Sequence, residues 1–129
     1  MPLPTAISSR LQLPLIAAPM FLVSGPELVI AACKAGVIGS FPTANCRTLE
    51  DLDLWLARMR DELTEQDAPV APNLIVHRTN SRLADDLELI CKYKPPMVIA
   101  SVGSPAPIIE AIHGYGGLVF ADIATMRHA

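Results

Sequence analysis

Short apolar runs alternate with longer amphipathic stretches along most of this 129-residue chain. Each apolar run ends in small or turn-forming residues, and a stretch with helical spacing follows it. The runs recur at the distance that a strand, a crossover helix and the next parallel strand require. The pattern therefore predicts consecutive parallel β/α units. The predicted strands are Leu15–Ala18, Val37–Phe41, Val70–Val76, Met97–Val102 and Leu118–Ala121.

The first predicted crossover helix has clear start and stop signals. Ser24 and Glu27 have the spacing of a capping box, and proline is tolerated in the first turn of a helix. A helix over Pro26–Ala35 is therefore expected, and Gly36 is suited to end it in the left-handed conformation. We expect small and apolar residues to form the face of this helix that packs on the sheet, namely Leu28, Ala31, Ala32 and Ala35.

Similar signals mark the remaining helices. Thr48 and Asp51 predict a capping box at the start of the second helix. The third helix is expected over Ser81–Tyr93, with Asp86 on its solvent side. The fourth is expected to begin at Ser104–Pro105, and a fifth is only starting where the sequence ends.

The length and composition limit the architectures that fit this pattern. The chain has the length of one ordinary domain, whereas an eightfold β/α barrel typically needs roughly 250 residues. Residues 1–129 are therefore expected to form either the first five units of a barrel or an open, flavodoxin-like sheet. The composition, 51% hydrophobic and 18% charged, suits strands that are covered by helices. Both architectures place their chemistry at the carboxyl ends of the strands.

Charge and cysteine content exclude several classes of function. The net charge of −3, without a run of Lys or Arg, argues against a nucleic-acid partner. No secretion signal is visible, and no stretch approaches the roughly 18 apolar residues of a membrane span. Cys33, Cys46 and Cys91 lack both metal-site spacing and the density of a disulfide scaffold. We therefore expect a cytoplasmic protein with no metal and no membrane partner.

Two of the predicted strand ends carry residues suited to a flat heterocycle. Asn73 places an amide inside an apolar strand, where it must find hydrogen-bond partners or cost stability. Its donor and acceptor match the edge of a flavin, although they could equally satisfy a neighbouring backbone group. After the first strand, Pro19 removes a backbone donor and Met20 is a soft apolar residue. This loop could therefore press against an aromatic ring or simply pack in the core.

Two further candidates lie just beyond predicted strands. Asp122 follows the fifth strand, where a carboxylate either serves chemistry, binds a ligand or caps the next helix. His77 follows the third strand and could contact substrate or transfer a proton, or could be a loop histidine bonded to backbone. No dinucleotide, P-loop or nucleophile-elbow motif is present.

Several short segments follow one another in an informative order along the chain, namely Pro14–Met20, Pro26–Leu28, Ala35–Gly36, Asn73–Leu74 and Val119–Ala129. Their order resembles the amino-terminal part of the nitronate monooxygenase family, formerly called 2-nitropropane dioxygenases. The match covers nearly the whole chain, and each motif is modest alone.

The resemblance implies an FMN-binding TIM barrel that oxidises alkyl nitronates with molecular oxygen. The flavin would supply the electron chemistry, and the protein would orient and tune it. The family's catalytic histidine follows the sixth strand, beyond Ala129, so no catalytic residue is assigned. His77 remains a candidate substrate contact. The resemblance implies that six residues contact the cofactor, namely Pro19, Met20, Phe21, Asn73, Ile75 and Asp122.

Other functions remain compatible with the sequence. An FMN-dependent enoyl-thioester reductase shares the barrel and the pattern of the first loop. A complete open α/β domain would bind a ligand without catalysis. A truncated product would pair its exposed strand edges with another copy or with a missing carboxyl-terminal half.

Overall fold

The computed structural model describes residues 2–128. Its strands are β1 (Ile16–Ala17), β2 (Ile38–Pro42), β3 (Val70–Ile75), β4 (Met97–Ser101) and β5 (Leu118–Ala121). Its helices are α1 (Thr5–Ser8), α2 (Pro26–Lys34), α3 (Leu49–Glu62), α4 (Leu83–Tyr93) and α5 (Ala106–Gly114). Two 3₁₀ turns cover Thr43–Asn45 and Met126–His128. Ala129, near which the fifth crossover helix was expected, lies outside the described residues.

The strands form one sheet in the sequential order β1-β2-β3-β4-β5. Every neighbouring pair is parallel, and a helix connects each strand to the next. A flavodoxin-like sheet would instead have the order 2-1-3-4-5, because its second strand crosses to the other side of the first. The flavodoxin-like alternative is therefore wrong. Consecutive β/α units that always add to the same edge are the arrangement of a barrel wall.

One of the two predicted capping boxes is confirmed. At the start of α3, the Asp51 N–H donates to Thr48 Oγ1 at 3.1 Å, and the Thr48 N–H donates to Asp51 Oδ2 at 3.2 Å. The box predicted for α2 is wrong, because Gly25 is the N-cap and makes no side-chain cap. The Ser24 hydroxyl accepts from the Met20 N–H at 2.9 Å, within the preceding loop.

The face of α2 that packs on the sheet also differs from the prediction. Leu28 is 40% exposed, and Ala31 and Ala35 are exposed, with Ala32 half-buried. This helix is apolar on more than one side, so its spacing alone does not define the inward face. The larger residues bury more apolar surface and therefore take that position. The buried residues of α2 are Pro26, Val29, Ile30 and Cys33.

Gly39 of β2 allows α2 to approach the sheet closely. A Cβ at this position would collide with the Val29 carbonyl oxygen and lie 2.8 Å from Cys33 Sγ. Only a residue without a side chain therefore permits the observed contact.

Alternate residues of the strands pack on opposite sides of the sheet. On the helix-covered side, strand residues including Phe41 and Leu74 join residues of α2–α5. We call this the outer core, and the Phe41 ring lies 5.5 Å from the Trp55 ring within it. On the other side is a smaller group that we call the inner cluster. Its members are Ile7, Ile38, Ala71, Met97 and Ile99, with partly buried Leu3, Leu11, Leu118 and Phe120.

One acidic residue of α4 lies opposite to its predicted position. Asp86 was expected to face solvent, but it is only 2% exposed. Its Oδ1 accepts from Arg82 Nη2 at 2.9 Å, and Arg82 Nη1 also donates to the Cys46 carbonyl at 2.7 Å. The ion pair compensates for burial of the carboxylate. In the part of the chain described, no helix is long and apolar enough to cross a membrane.

Candidate functional site at the carboxyl edge of the sheet

The parallel strands bring the loops after all five of them to one edge of the sheet, which we call the carboxyl edge. The residues predicted for the site lie on the last turns of these strands or in the loops that follow. The edge therefore collects every candidate from the sequence. The candidates are Pro19, Met20, Phe21, Asn73, Ile75, His77 and Asp122.

A band of polar side chains crosses the inner side of the sheet just below this edge. Ser40 pairs with Ala71, two residues before Asn73, and Ser101 pairs with Ile75, two residues after it. Because paired residues of parallel strands share a side, these three polar residues face the same way as the inner cluster. Ser40, Asn73 and Ser101 are 2%, 5% and 8% exposed. We call them the polar band.

Asn73 is tied to β4 through its amide nitrogen. Asn73 Nδ2 donates to the Ile99 carbonyl at 3.1 Å and to Ser101 Oγ at 2.6 Å. Its donors therefore satisfy neighbouring groups, which is one of the two alternatives that the sequence left open. Within residues 2–128, no hydrogen bond reaches Asn73 Oδ1, and the buried Ser40 Oγ has no partner. The band thus retains an acceptor and a hydroxyl for a ligand.

The loop after β1, residues 18–25, presents exposed apolar side chains at the same edge of the sheet. Met20 is 43% exposed and Phe21 is 64% exposed, while Pro19 is half-buried. Leu22 has a φ of 63°, in the left-handed region that non-glycine residues rarely adopt. The loop is therefore ordered in a costly conformation, although its side chains face outward.

Asn45 holds this loop from the end of β2. Its Oδ1 accepts from the Leu22 N–H at 2.9 Å, and its Nδ2 donates to the carbonyls of Met20 at 3.1 Å and Ser24 at 2.9 Å. The sequence analysis did not identify Asn45. The available signal was an amide just after a predicted strand, in a loop that must lie beside the first one.

His77 belongs to a loop with its own hydrogen bonds. The Thr79 N–H donates to His77 Nδ1 at 3.3 Å, and Thr79 Oγ1 lies 2.8 Å from the same nitrogen. Asn80 Nδ2 donates to the Ile75 carbonyl at 2.8 Å and joins this loop to the end of β3. Because Nδ1 accepts within the loop, Nε2 is the nitrogen left for a ligand. A role for His77 with substrate stays a prediction.

The backbone of Asp122 continues the hydrogen bonding between β5 and β4 by one residue beyond the end of β5. Its N–H donates to the Ala100 carbonyl at 3.1 Å, and the side chain is exposed. No hydrogen bond joins its carboxylate to another residue of 2–128, so it caps no described helix. Asp122 and His128 line an open pocket of about 610 Å³ between the loops after β4 and β5.

The carboxyl edge also carries a second strained residue. Val102, just after β4, has a φ of 61°. A β-branched residue in this region is an outlier, and such strain costs on the order of 1–3 kcal/mol. Strained residues concentrate at binding sites, so Leu22 and Val102 agree with a site here. Among residues 2–128, the one other non-glycine residue with positive φ is Lys94, which ends α4 as a C-cap.

Comparison with known proteins gives a fold. No protein-family model matches the chain, and no curated protein matches it. The structure is similar to FabK from Thermotoga maritima, with a TM-score of 0.78 and 21% sequence identity over 93% of this chain. The fold is that of a partial TIM barrel. The M276A mutant of the same FabK gives the same TM-score, identity and coverage. The chain covers 36% and 38% of these two proteins, so it spans little more than a third of their length.

Proposed function

We propose that this chain is the FMN-binding part of an FMN-dependent oxidoreductase of the 2-nitropropane dioxygenase-like family. The observation that carries the proposal is the polar band with its free Asn73 acceptor, set beside an ordered apolar loop at the carboxyl edge. The structural likeness to FabK, an FMN-dependent enoyl reductase built on a TIM barrel, supports the choice of cofactor. Scattered cysteines support a cytoplasmic setting.

The residues present fit a flavin. Asn73 Oδ1 would accept from a ring N–H, and the partnerless Ser40 hydroxyl would be satisfied by a polar group or water beside the ring. Met20 and Ile75 would cover the flat apolar surface of the ring. FMN, when bound, takes up and passes on electrons, which no protein side chain does readily. The chain's own residues would bind the ring, orient it and exclude water from one of its edges.

Enoyl-thioester reduction is the reaction that we favour. The likeness to FabK supports it, and so do exposed apolar side chains on the loops around the edge. These side chains suit the hydrocarbon tail of an acyl thioester better than a small, charged nitronate. The exposed side chains are Phe21, Leu22, Val23, Val102, Ile123 and Met126.

Nitronate oxidation with molecular oxygen is the second candidate. The segment Val119–Ala129 and the other motifs that resemble nitronate monooxygenases favour it. The two reactions are separable with a flavin-loaded enzyme that contains this chain together with the rest of the barrel. Reduction of an enoyl thioester at the expense of a reduced nicotinamide would support the first, and oxygen uptake on addition of an alkyl nitronate would support the second.

FMN binding is the direct test of the proposal. Titration of FMN into the protein, followed by flavin fluorescence, should show saturable binding at one site. Asn73→Ala removes the free acceptor and should raise the Kd about tenfold, the effect of losing one good hydrogen bond of about 1.4 kcal/mol.

Asn80→Ala is a matched control for this experiment. It removes an amide of the same size from the loop after the same strand, where Asn80 bonds the Ile75 carbonyl. It should leave the Kd within about twofold of the wild-type value. Equal FMN affinity for the wild type and Asn73→Ala would reject the assignment of Asn73, and no binding by the wild type would reject the cofactor.

A further inference from the structure

We infer that Asn45 is a positioning residue that fixes the backbone of the loop after β1, and that it thereby presents to a ligand the Phe21 N–H, the one backbone donor of residues 20–24 that has no partner among the described residues. The inference deepens the proposed function, because it names the protein group that faces the flavin from this loop. Its structural part, the hold of Asn45 on the loop, does not depend on the identity of the ligand.

Four of the five backbone N–H groups of residues 20–24 donate a hydrogen bond within the described chain. The Met20 N–H donates to Ser24 Oγ at 2.9 Å, and the Leu22 N–H donates to Asn45 Oδ1 at 2.9 Å. The N–H groups of Val23 and Ser24 both donate to the Met20 carbonyl, at 3.2 and 3.0 Å. No hydrogen bond joins the Phe21 N–H to any described residue. An amide left without a partner in an otherwise satisfied turn is available to a ligand.

Asn45 supplies the groups that this turn needs from outside. Its side chain accepts from the Leu22 N–H and donates both to the Met20 carbonyl and to the Ser24 carbonyl. An amide alone combines one acceptor with two donors at this length, since a carboxylate has no donor and alanine has neither. The turn also includes Leu22 at a φ of 63°, which requires compensation by its surroundings. Removing the Asn45 amide should therefore release the loop.

The hydrogen bonds from Asn45 to the loop after β1 lie at the candidate site. Asn45 ends the 3₁₀ turn after β2, and the loop that it holds follows β1, the strand beside β2 in the sheet. Three hydrogen bonds thus join two neighbouring loops at the carboxyl edge. A donor fixed in this way is aligned before a ligand arrives, so binding costs less conformational entropy.

Amide hydrogen exchange of the flavin-free protein tests the structural part. In the wild type, the Phe21 amide should exchange fastest among residues 20–24, and Leu22, Val23 and Ser24 should be protected. Asn45→Ala should speed exchange at these three amides at least tenfold, whereas Asn80→Ala should leave them unchanged. Asn45→Asp keeps only the acceptor and should behave like Asn45→Ala. Phe21 protection equal to that of Leu22 in the wild type, or an unaltered loop in both Asn45 variants, would overturn the inference.

FMN titration followed by amide NMR tests the ligand part. The Phe21 amide should shift most among residues 20–24, and Asn45→Ala should raise the Kd for FMN about tenfold without changing the unfolding midpoint of the flavin-free protein by more than a few degrees. FMN binding that leaves the Phe21 amide unshifted would overturn its role as donor. If the wild type does not bind FMN, the proposed function fails, and the exchange data decide the role of Asn45 separately.

Discussion

The two sides of the same sheet differ sharply in composition. The outer core consists of apolar residues from four helices and the strands, and Phe41, Leu74 and Ile108 within it have no exposed surface. The inner side has a smaller apolar cluster, partly exposed aromatic and aliphatic side chains, and a band of three polar residues. Each of the strands β2–β5 thus contributes some residues to the outer core, which stabilises the fold, and others to the inner side, where a ligand would bind. Changes on the outer side should lower stability, and changes on the inner side should act chiefly on ligands.

The largest expected effect comes from emptying the outer core. Phe41→Ala removes a fully buried ring that contacts Trp55, and the cavity should lower the free energy of unfolding by about 3–5 kcal/mol. Phe120→Ala removes a ring of the inner cluster that is only partly buried, and should cost less than half as much. Urea denaturation of both variants measures the difference. Equal losses would remove the distinction between the two sides.

A methyl group added between α2 and the sheet should have the next largest effect. Gly39→Ala would collide with the Val29 carbonyl and Cys33 Sγ, and should destabilise the protein by about 1–3 kcal/mol as α2 shifts outward. Gly114→Ala is the matched control, because no atom lies within 4 Å of its added Cβ. That change at the end of α5 should be neutral or stabilising by at most about 1 kcal/mol. Thermal unfolding of the two variants should therefore give shifts of different size, and equal shifts would show that the contact is not tight.

The last expected effect is confined to alkaline pH and is negligible at neutral pH, since it is a loss of stability due to buried thiols. Burial raises the pKa of Cys33 from 9.0 to about 11 and that of Cys46 to about 12. Above pH 9 the unfolded chain loses protons that the folded protein keeps, so stability should fall as the pH rises from about 9 toward 11.

The variant Cys33→Ala isolates one of these thiols. It should flatten the alkaline decline, when denaturation midpoints are measured at several pH values. Cys91→Ala should flatten the decline less, because Cys91 is less buried. A pH profile of Cys33→Ala that runs parallel to the wild-type profile would contradict the assignment.

The sequence was sufficient to predict the strands and their parallel orientation, but it left open whether their order was that of a barrel or of a flavodoxin-like sheet. Apolar runs with no polar alternation give strands buried on both sides, and helix-forming stretches between them require parallel crossovers. The fifth strand, Leu118–Ala121, has its predicted limits, and the others agree within one residue at either end. The short α1 was not predicted, because Thr5–Ser8 forms a single turn without a side-chain cap.

The errors share a physical cause, which is that local pattern does not specify a tertiary partner. The inward face of α2 depends on the close approach of this helix to Gly39. The spacing of apolar residues along a largely apolar helix does not predict that approach. Asp86 is buried because Arg82 reaches it from the preceding turn. The Ser24 hydroxyl is used by Met20, four residues earlier, instead of the helix.

The candidate site was predicted only in its general position. Parallel strands are sufficient to place Asn73 and the loop that contains Phe21 at one edge of the sheet. They do not indicate that the Asn73 amide nitrogen binds β4, nor that Asn45 reaches across to the first loop. Such contacts depend on side-chain conformations between residues more than 20 positions apart, which no local signal encodes.

The amino-terminal residues Leu3, Ile7 and Leu11 complete a cluster that includes Leu118. During translation they are synthesised before their partners in β5, which follow on the order of ten seconds later at typical elongation rates. For that interval the leucines and the isoleucine remain without their native neighbours. The nascent polypeptide therefore keeps these apolar side chains incompletely covered until β5 has been made.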